Sequence, residues 1–146
     1  MIGLLFLIIG FVAMEIASWA IHKYLMHGPL WFIHKTHHNP SKGKFELNDV
    51  FTLFFGSIAV VLIILGLPEW DFRFWLGAGI SLYGVVYFIF HDMFIHRRVK
   101  WAKKPGSKFI EGITKAHKDH HKTNKKEGAI CFGLLYVPKR YFKFDN

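Results

Sequence analysis

All ten histidines of the chain fall in four short motifs. They read HKYLMH, with His22 and His27; HKTHH, with His34, His37 and His38; HDMFIH, with His91 and His96; and HKDHH, with His117, His120 and His121. Neutral imidazole binds borderline first-row metals such as iron and zinc. In each triad, positions i, i+3 and i+4 share one helix face, so three imidazoles can converge on a small volume. Spacing of five suits an α-helix less well, because the second histidine is turned about 140° from the first. Such a pair either straddles two metals or sits where the helix loosens. Ten imidazoles exceed the roughly six positions of one first-row ion, so two metals are implied. The order of a pair followed by a triad occurs twice, a repeat of motif without a repeat of the intervening residues.

Other residue types narrow the chemistry. Soluble di-iron bundles use Glu-x-x-His pairs, and the sequence has none. The single cysteine, Cys131, excludes an intrachain disulfide and a cysteine-rich zinc or iron–sulfur site, and fits a reducing compartment. Beyond the metal centre no catalytic side chain stands out. Three carboxylates are placed to support ligand imidazoles. Glu15 lies seven residues before His22, on the same helix face, and a carboxylate inside a span needs a partner. Asp92 and Asp119 sit inside motifs, where each either supports a histidine or simply faces water or a lysine.

The elements that must position these residues are read from composition. The 146 residues suit one domain, and 52% of them are hydrophobic and 18% aromatic. A soluble domain of this size could barely enclose so much apolar surface. The apolar residues are gathered into runs at residues 1–21, 50–67 and 74–90, interrupted only by Glu15. Runs of 17 to 21 residues reach roughly 26–31 Å, about one hydrocarbon core. The expected fold is all-α: an integral membrane bundle of three or four long helices. The first run has no basic residue before Lys23 and leads straight into a histidine motif, so it reads as a retained span rather than a signal peptide.

Charge sets the topology. The net charge is +9, and of nineteen basic residues all but Arg73 fall on one side if the three runs span. The positive-inside rule makes that side cytoplasmic, with the N-terminus outside and the linker at residues 68–73 an external turn. Two spans separate the motifs at residues 22–38 from those at residues 91–121, so all four meet at one membrane face. One such motif alone could be an ordinary polar helix face. Four motifs on one face, holding every histidine, argue for a shared site. With no nucleic-acid motif present, the basic charge reads first as an anchor on anionic lipid and, as the alternative, as steering for an acidic electron carrier.

Local signals add detail. Gly28-Pro29 breaks the chain after His27 and starts a short helix that ends before Asn39-Pro40. The third span is expected to run on as a helix through Arg98, and a last helix to cover Ile110 to Lys122. The apolar stretch from Ala129 to Val137 is too short to span and lies at the interface or packs on the domain. Trp19, Tyr24, Trp31, Phe32, Tyr87, Phe90 and Phe94 either anchor the interface or line a passage for substrate.

The motifs, in this order, resemble those of the fatty acid hydroxylase superfamily of membrane di-iron enzymes. The phrases HKYLMHGPLWFIHKTHH, HDMFIHRR and AHKDHHKT look like the β-carotene hydroxylase branch. The resemblance covers nearly the whole chain and makes all ten histidines its metal ligands. It implies two iron ions, with zinc able to replace them in isolated samples, and O₂ as co-substrate. It implies a ferredoxin-type electron donor and hydroxylation at carbon 3 of β-ionone rings, from β-carotene through β-cryptoxanthin to zeaxanthin. A carotenoid ketolase or a lipid or sterol hydroxylase-desaturase would share the histidine pattern. A membrane metal transporter, the non-enzymatic reading, would place its ligands near the bilayer midplane instead of at one surface.

Overall fold

The computed structural model describes residues 2–39, 45–101, 103 and 105–143. Pro40, read above as a helix stop, and Lys42, Lys44 and Lys104, which belong to the nineteen basic residues counted above, lie outside them. The described residues are all helix and loop, with no strand. Three long helices dominate: α1 (Ile2–Ile21), α3 (Asp49–Gly66) and α4 (Phe72–Tyr87). Between them and after them come α2 (Trp31–His38), α5 (Lys108–His120) and a 3₁₀ turn at Lys139–Phe142. With their extensions, Ile2–Met26, Asp49–Gly66 and Phe72–Ile95 are long and apolar enough to cross a membrane. Their apolar side chains point outward: Ile2, Leu5 and Ile16 on α1, and Leu53, Val60 and Ile64 on α3, are all exposed. Such a surface is stable only in lipid, and the protein is a membrane helical bundle.

Within the bundle α4 is the middle helix, packed against α1 on one side and α3 on the other, while α1 and α3 do not approach each other. Small residues bring the backbones together, as expected where lipid removes the hydrophobic drive between helices. A Cβ on Gly10 would fall 2.5 Å from the carbonyl oxygen of Leu76, and one on Gly77 2.7 Å from that of Ala59. The α3–α4 turn closes tightly. Asp71 caps α4 by accepting from the backbone N–H of Arg73 at 2.9 Å, and the Arg73 Nε–H donates to the same carboxylate at 2.8 Å.

Beyond the spans, α2, α5 and the C-terminal segment form a cap. Its apolar centre is small: Ile113, Ala116, Val137 and Tyr141 are buried together, with Phe90, Cys131 and Phe142 packed against them. Helix α5 joins this centre through a stripe of Ile110, Ile113, Ala116, His117 and His120. The segment that includes Ala129 to Val137 packs onto this cap through Cys131 and Val137.

One expectation is corrected. The third span does not continue as a helix through Arg98: it stops at Ile95, and Arg97 adopts a left-handed backbone with φ 57°. The reversal turns Arg98 back toward α3. There its guanidinium grips Asp49 with two bonds of 2.8 Å, and its backbone N–H donates to the Asp92 carbonyl at 2.9 Å.

Substituting Gly10 by Leu is expected to push α1 off α4 and to cost about 1–3 kcal/mol of stability. Thermal unfolding in detergent measures this, and a midpoint equal to that of the parent protein would show that the close crossing contributes nothing.

Candidate metal centre

Both histidine pairs of spacing five lie on π-helical turns, His22–Met26 continuing α1 and Phe88–Ile95 continuing α4. The backbone bonds run from His27 N–H to His22 O at 3.0 Å and from His96 N–H to His91 O at 2.9 Å. A π-turn bonds residue i to i+5 and therefore stacks those residues on one face. Of the two alternatives open for this spacing, the structure has the loosened helix. Each pair serves a single group of imidazoles.

The imidazoles form two groups. His22, His27, His34, His38 and His120 make one; His37, His91, His96 and His117 make the other; in each, the ligand nitrogens lie within 4.8 Å of one another. His121 stands between them, stacked on His38 at 4.3 Å and with its ring 4.9 Å from that of His96. The two motif regions thus contribute to both groups.

Hydrogen bonds at the outer nitrogens settle the tautomers. In the first group, Nδ1–H donates to the Phe132 carbonyl from His22 (2.8 Å) and to the Lys126 carbonyl from His27 (2.9 Å). It donates to the Asn48 side-chain oxygen from His34 (2.8 Å), to the Thr123 carbonyl from His38 (2.9 Å) and to the Ile130 carbonyl from His120 (2.9 Å). In the second group His37 donates to Glu46 and His91 to Asp92, each at 2.9 Å. Every one of these acceptors requires the proton on Nδ1, so Nε2 carries a lone pair directed inward.

Those lone pairs test whether the site fits a metal. The Nε2 atoms of His22 and His34 lie 3.0 Å apart, and those of His27 and His120 3.2 Å apart. With both protons on Nδ1, neither contact is a hydrogen bond: two acceptors face each other. The Nε2 atoms of His37, His38 and His121 are buried with no partner among the described residues. A buried acceptor without a donor is costly, and a cation relieves all of these contacts at once. Two nitrogens about 2.1 Å from one ion and at right angles are about 3 Å apart, the spacing found here. The residues fit two metal ions.

Burial keeps the imidazoles neutral. Mainly through desolvation, His34 and His120 are lowered to about 3, His38 to about 4, and His96 and His121 to about 2. His37 and His117 are held well below the ordinary value by burial and then by neighbouring imidazoles. The His37–Glu46 contact is therefore a neutral N–H donating to a carboxylate, and not an ion pair. Neutral imidazole is the ligating form.

The three carboxylates singled out from the sequence behave differently. Asp92 touches an imidazole, that of His91. Glu15 does not: it accepts from the Tyr83 hydroxyl at 2.8 Å and from the backbone N–H groups of Leu135 and Tyr136 at 3.0 Å each. It pins the C-terminal segment to α1 and so acts on His22 only through the Phe132 carbonyl. Asp119 also misses the histidines; it accepts from Tyr141 at 3.0 Å and pairs with Lys122 at 2.7 Å. The seven-residue spacing put Glu15 on the right face but one to two turns too far from the imidazole. Glu46 and Asn48 were missed, because they lie outside the motifs and nothing in their spacing marks them. The carbonyls of Thr123 to Phe132 have no side-chain signature at all. Of the interfacial aromatics, Trp31 packs on His27 at 5.0 Å and on His38 at 5.1 Å, and Tyr87 stacks on His91 at 4.4 Å.

Two outcomes follow from this geometry. Replacing Glu46 by Ala removes the acceptor that orients His37 and is expected to weaken one of two bound metal equivalents about 10–100-fold. Metal content after chelator competition reads this, and unchanged retention of both equivalents would contradict it. The lowered histidines also make the metal-free protein sensitive to acid. Below about pH 6.5 the unfolded chain takes up protons that the folded chain refuses, so stability falls as pH drops through 6.5 toward the folded values and is flat above. Unfolding midpoints of chelator-treated protein between pH 8 and pH 5 should fall only on the acid side, and a midpoint that rises there would reverse the assignment.

Comparison with known proteins places the chain among relatives. The fatty acid hydroxylase family model matches residues 7–141. A β-carotene hydroxylase of Pantoea ananas is 39% identical over 87% of this chain and 73% of its own length. One of Pseudescherichia vulneris is 36% identical over 95% of this chain and 79% of its own length. A chloroplastic β-carotene hydroxylase of Capsicum annuum is 35% identical over 88% of this chain but only 42% of its own, longer, length. No solved structure matches. With paired histidine groups at the ends of apolar spans and a family match across nearly all of its length, the chain belongs to the fatty acid hydroxylase family.

Proposed function

We propose that this protein is a carotenoid hydroxylase that adds hydroxyl groups at carbon 3 of β-ionone rings, taking β-carotene to β-cryptoxanthin and then zeaxanthin. The observation that carries the reading is the pair of buried groups of inward lone pairs at the ends of apolar helices, in a chain whose relatives are named β-carotene hydroxylases. Residues 1–146 act as one hydroxylase domain. The ten histidines ligate two iron ions, and zinc can replace iron in isolated protein.

Bound there, iron would supply the reductive activation of O₂ needed to attack an unactivated C–H bond. Overall, R–H, O₂, two electrons and two protons give R–OH and water. The two electrons come from an external donor of the ferredoxin type. The chain's own residues do the rest. The carbonyls of Thr123 to Phe132, with Asn48, Glu46 and Asp92, hold the imidazoles in register. Burial of His34, His37, His91 and His120 excludes bulk water, which would otherwise quench the oxidant. A cavity of about 30 Å³ lies between the groups, lined by His22, His34, His37, His91 and His117 and about the size of one small molecule. The positive charge around the cap supports a reading with the histidine motifs on the cytoplasmic side of the cell inner membrane and the N-terminus outside.

Expression in an aerated, β-carotene-accumulating bacterium tests the reading. β-Cryptoxanthin and zeaxanthin should appear, and should be absent with His120→Ala. Keto-carotenoids in their place would assign a ketolase. Unchanged β-carotene alongside abundant, iron-loaded protein supplied with electrons would overturn the carotenoid assignment.

A further inference from the structure

Because α1 and α3 pack on opposite flanks of α4 without meeting, a trough runs along α4 between them. Its volume is about 440 Å³. Ile80, Tyr83 and Tyr87 of α4 form its floor, Met14 belongs to the α1 wall, and Phe55 and Ala59 belong to the α3 wall. Its neck, the end toward the cap, is made of Ser18, Met26, Asn48 and Tyr87. The same four residues border the small cavity between the two histidine groups. Asn48 and Tyr87 each also touch a ligand, as acceptor for His34 and as the ring stacked on His91. An apolar trough between membrane helices therefore leads into the metal centre.

Two glycines in this trough lack the reason that explains the others. Gly10, Gly77 and Gly79 sit where a Cβ would strike the backbone of a neighbouring helix, but a Cβ on Gly56 or Gly84 would meet nothing within 4 Å. Glycine inside a helix is unfavourable relative to alanine. Among the described residues no contact offsets that penalty at these two positions. Both line the trough, Gly56 on α3 and Gly84 on α4.

We propose that the trough binds the ring-bearing end of an apolar polyene, and that Gly56 and Gly84 set the width that admits it. The assignment rests on the carotenoid reading above. From Ile80 to Tyr87 the floor is about 10 Å long, enough for a terminal ring and the first part of its tail. The remainder of a rod-shaped molecule leaves along α3 and α4 into lipid. The occupant is a substrate and not a second copy of the chain, because the trough is concave and continuous with the metal centre, whereas a helix interface would have no use for the neck. Gly56 and Gly84 act on specificity, not on chemistry: neither touches an imidazole.

The test uses the full chain in the β-carotene-accumulating host, with iron per chain and membrane-inserted protein measured for each variant. Gly56→Leu and Gly84→Leu are expected to lower hydroxylated carotenoid by about tenfold or more, since discrimination by a few methylenes in an apolar pocket is of that order. They should also reduce the β-carotene that co-purifies with the protein, while iron content is unchanged. Gly56→Ala and Gly84→Ala, whose methyls enter the space assigned to the ring, should give smaller losses of the same kind, between parent and leucine variants. Val61→Phe, exposed and on the face of α3 opposite Thr52, Phe55, Gly56 and Ala59, serves as the control for added bulk and should change nothing. If the leucine variants insert poorly, Thr52→Phe, which adds bulk from a side chain already lining the trough, gives the same reading. Leucine variants with parental turnover and parental pigment would overturn the proposal. So would loss of a dimer in those variants with turnover retained, which would make the trough a helix interface. A parent protein that retains β-carotene in a Gly84-dependent way but forms no product would sink the hydroxylase reading and leave the trough standing.

Discussion

Two neutral imidazoles that aim lone pairs at each other across 3.0 Å repel, and this arrangement is built at the centre of the molecule between His22 and His34. It persists because each ring has already committed its single proton to an outer acceptor. Much of the structure beyond the spans serves that commitment. The segment from Thr123 to Phe132 has little regular structure, yet four of its carbonyls each take one Nδ1–H. The cap has a small apolar centre, so a cation held between the imidazoles would favour its closure by removing the repulsion that otherwise opposes it.

The two histidine groups are braced unequally. Around the first, the outer acceptors are neutral: four carbonyls and the Asn48 amide. Around the second they include the carboxylates of Glu46 and Asp92, with Arg98 held close by Asp49. A carboxylate makes its imidazole a stronger donor than a carbonyl does. The two sites are therefore electronically distinct although both are made of histidine.

Much of this was legible in the sequence, and the parts that were not share a cause. The three spans, the break at Gly28-Pro29 and the convergence of four motifs follow from hydropathy, charge and parity of crossing, which are properties of side chains. The i, i+5 pairs were readable as an anomaly, since His22 and His27 cannot share a face of an α-helix, but the π-turn that resolves it is a backbone event. The partners of Glu15 are the Tyr83 hydroxyl and two backbone N–H groups of residues 120 or more positions away. Asp119 sits inside a motif yet turns to Tyr141, because the i+3 and i+4 face that aims His117, His120 and His121 inward points the residue between them outward. The end of the last span at Ile95 depends on Arg98 finding Asp49, a long-range pair with no local signature.

Each histidine group draws on both ends of the chain: His22 and His34 need His120, and His37 needs His117. The carbonyl that orients His22 belongs to Phe132, later still. During synthesis the ribosome therefore has to deliver all three apolar helices before either group of ligands is complete. The first motifs alone supply four of the five imidazoles of one group and one of the four of the other. The order of residues along the chain thus defers completion of both groups until the helices that must sit in lipid have been made.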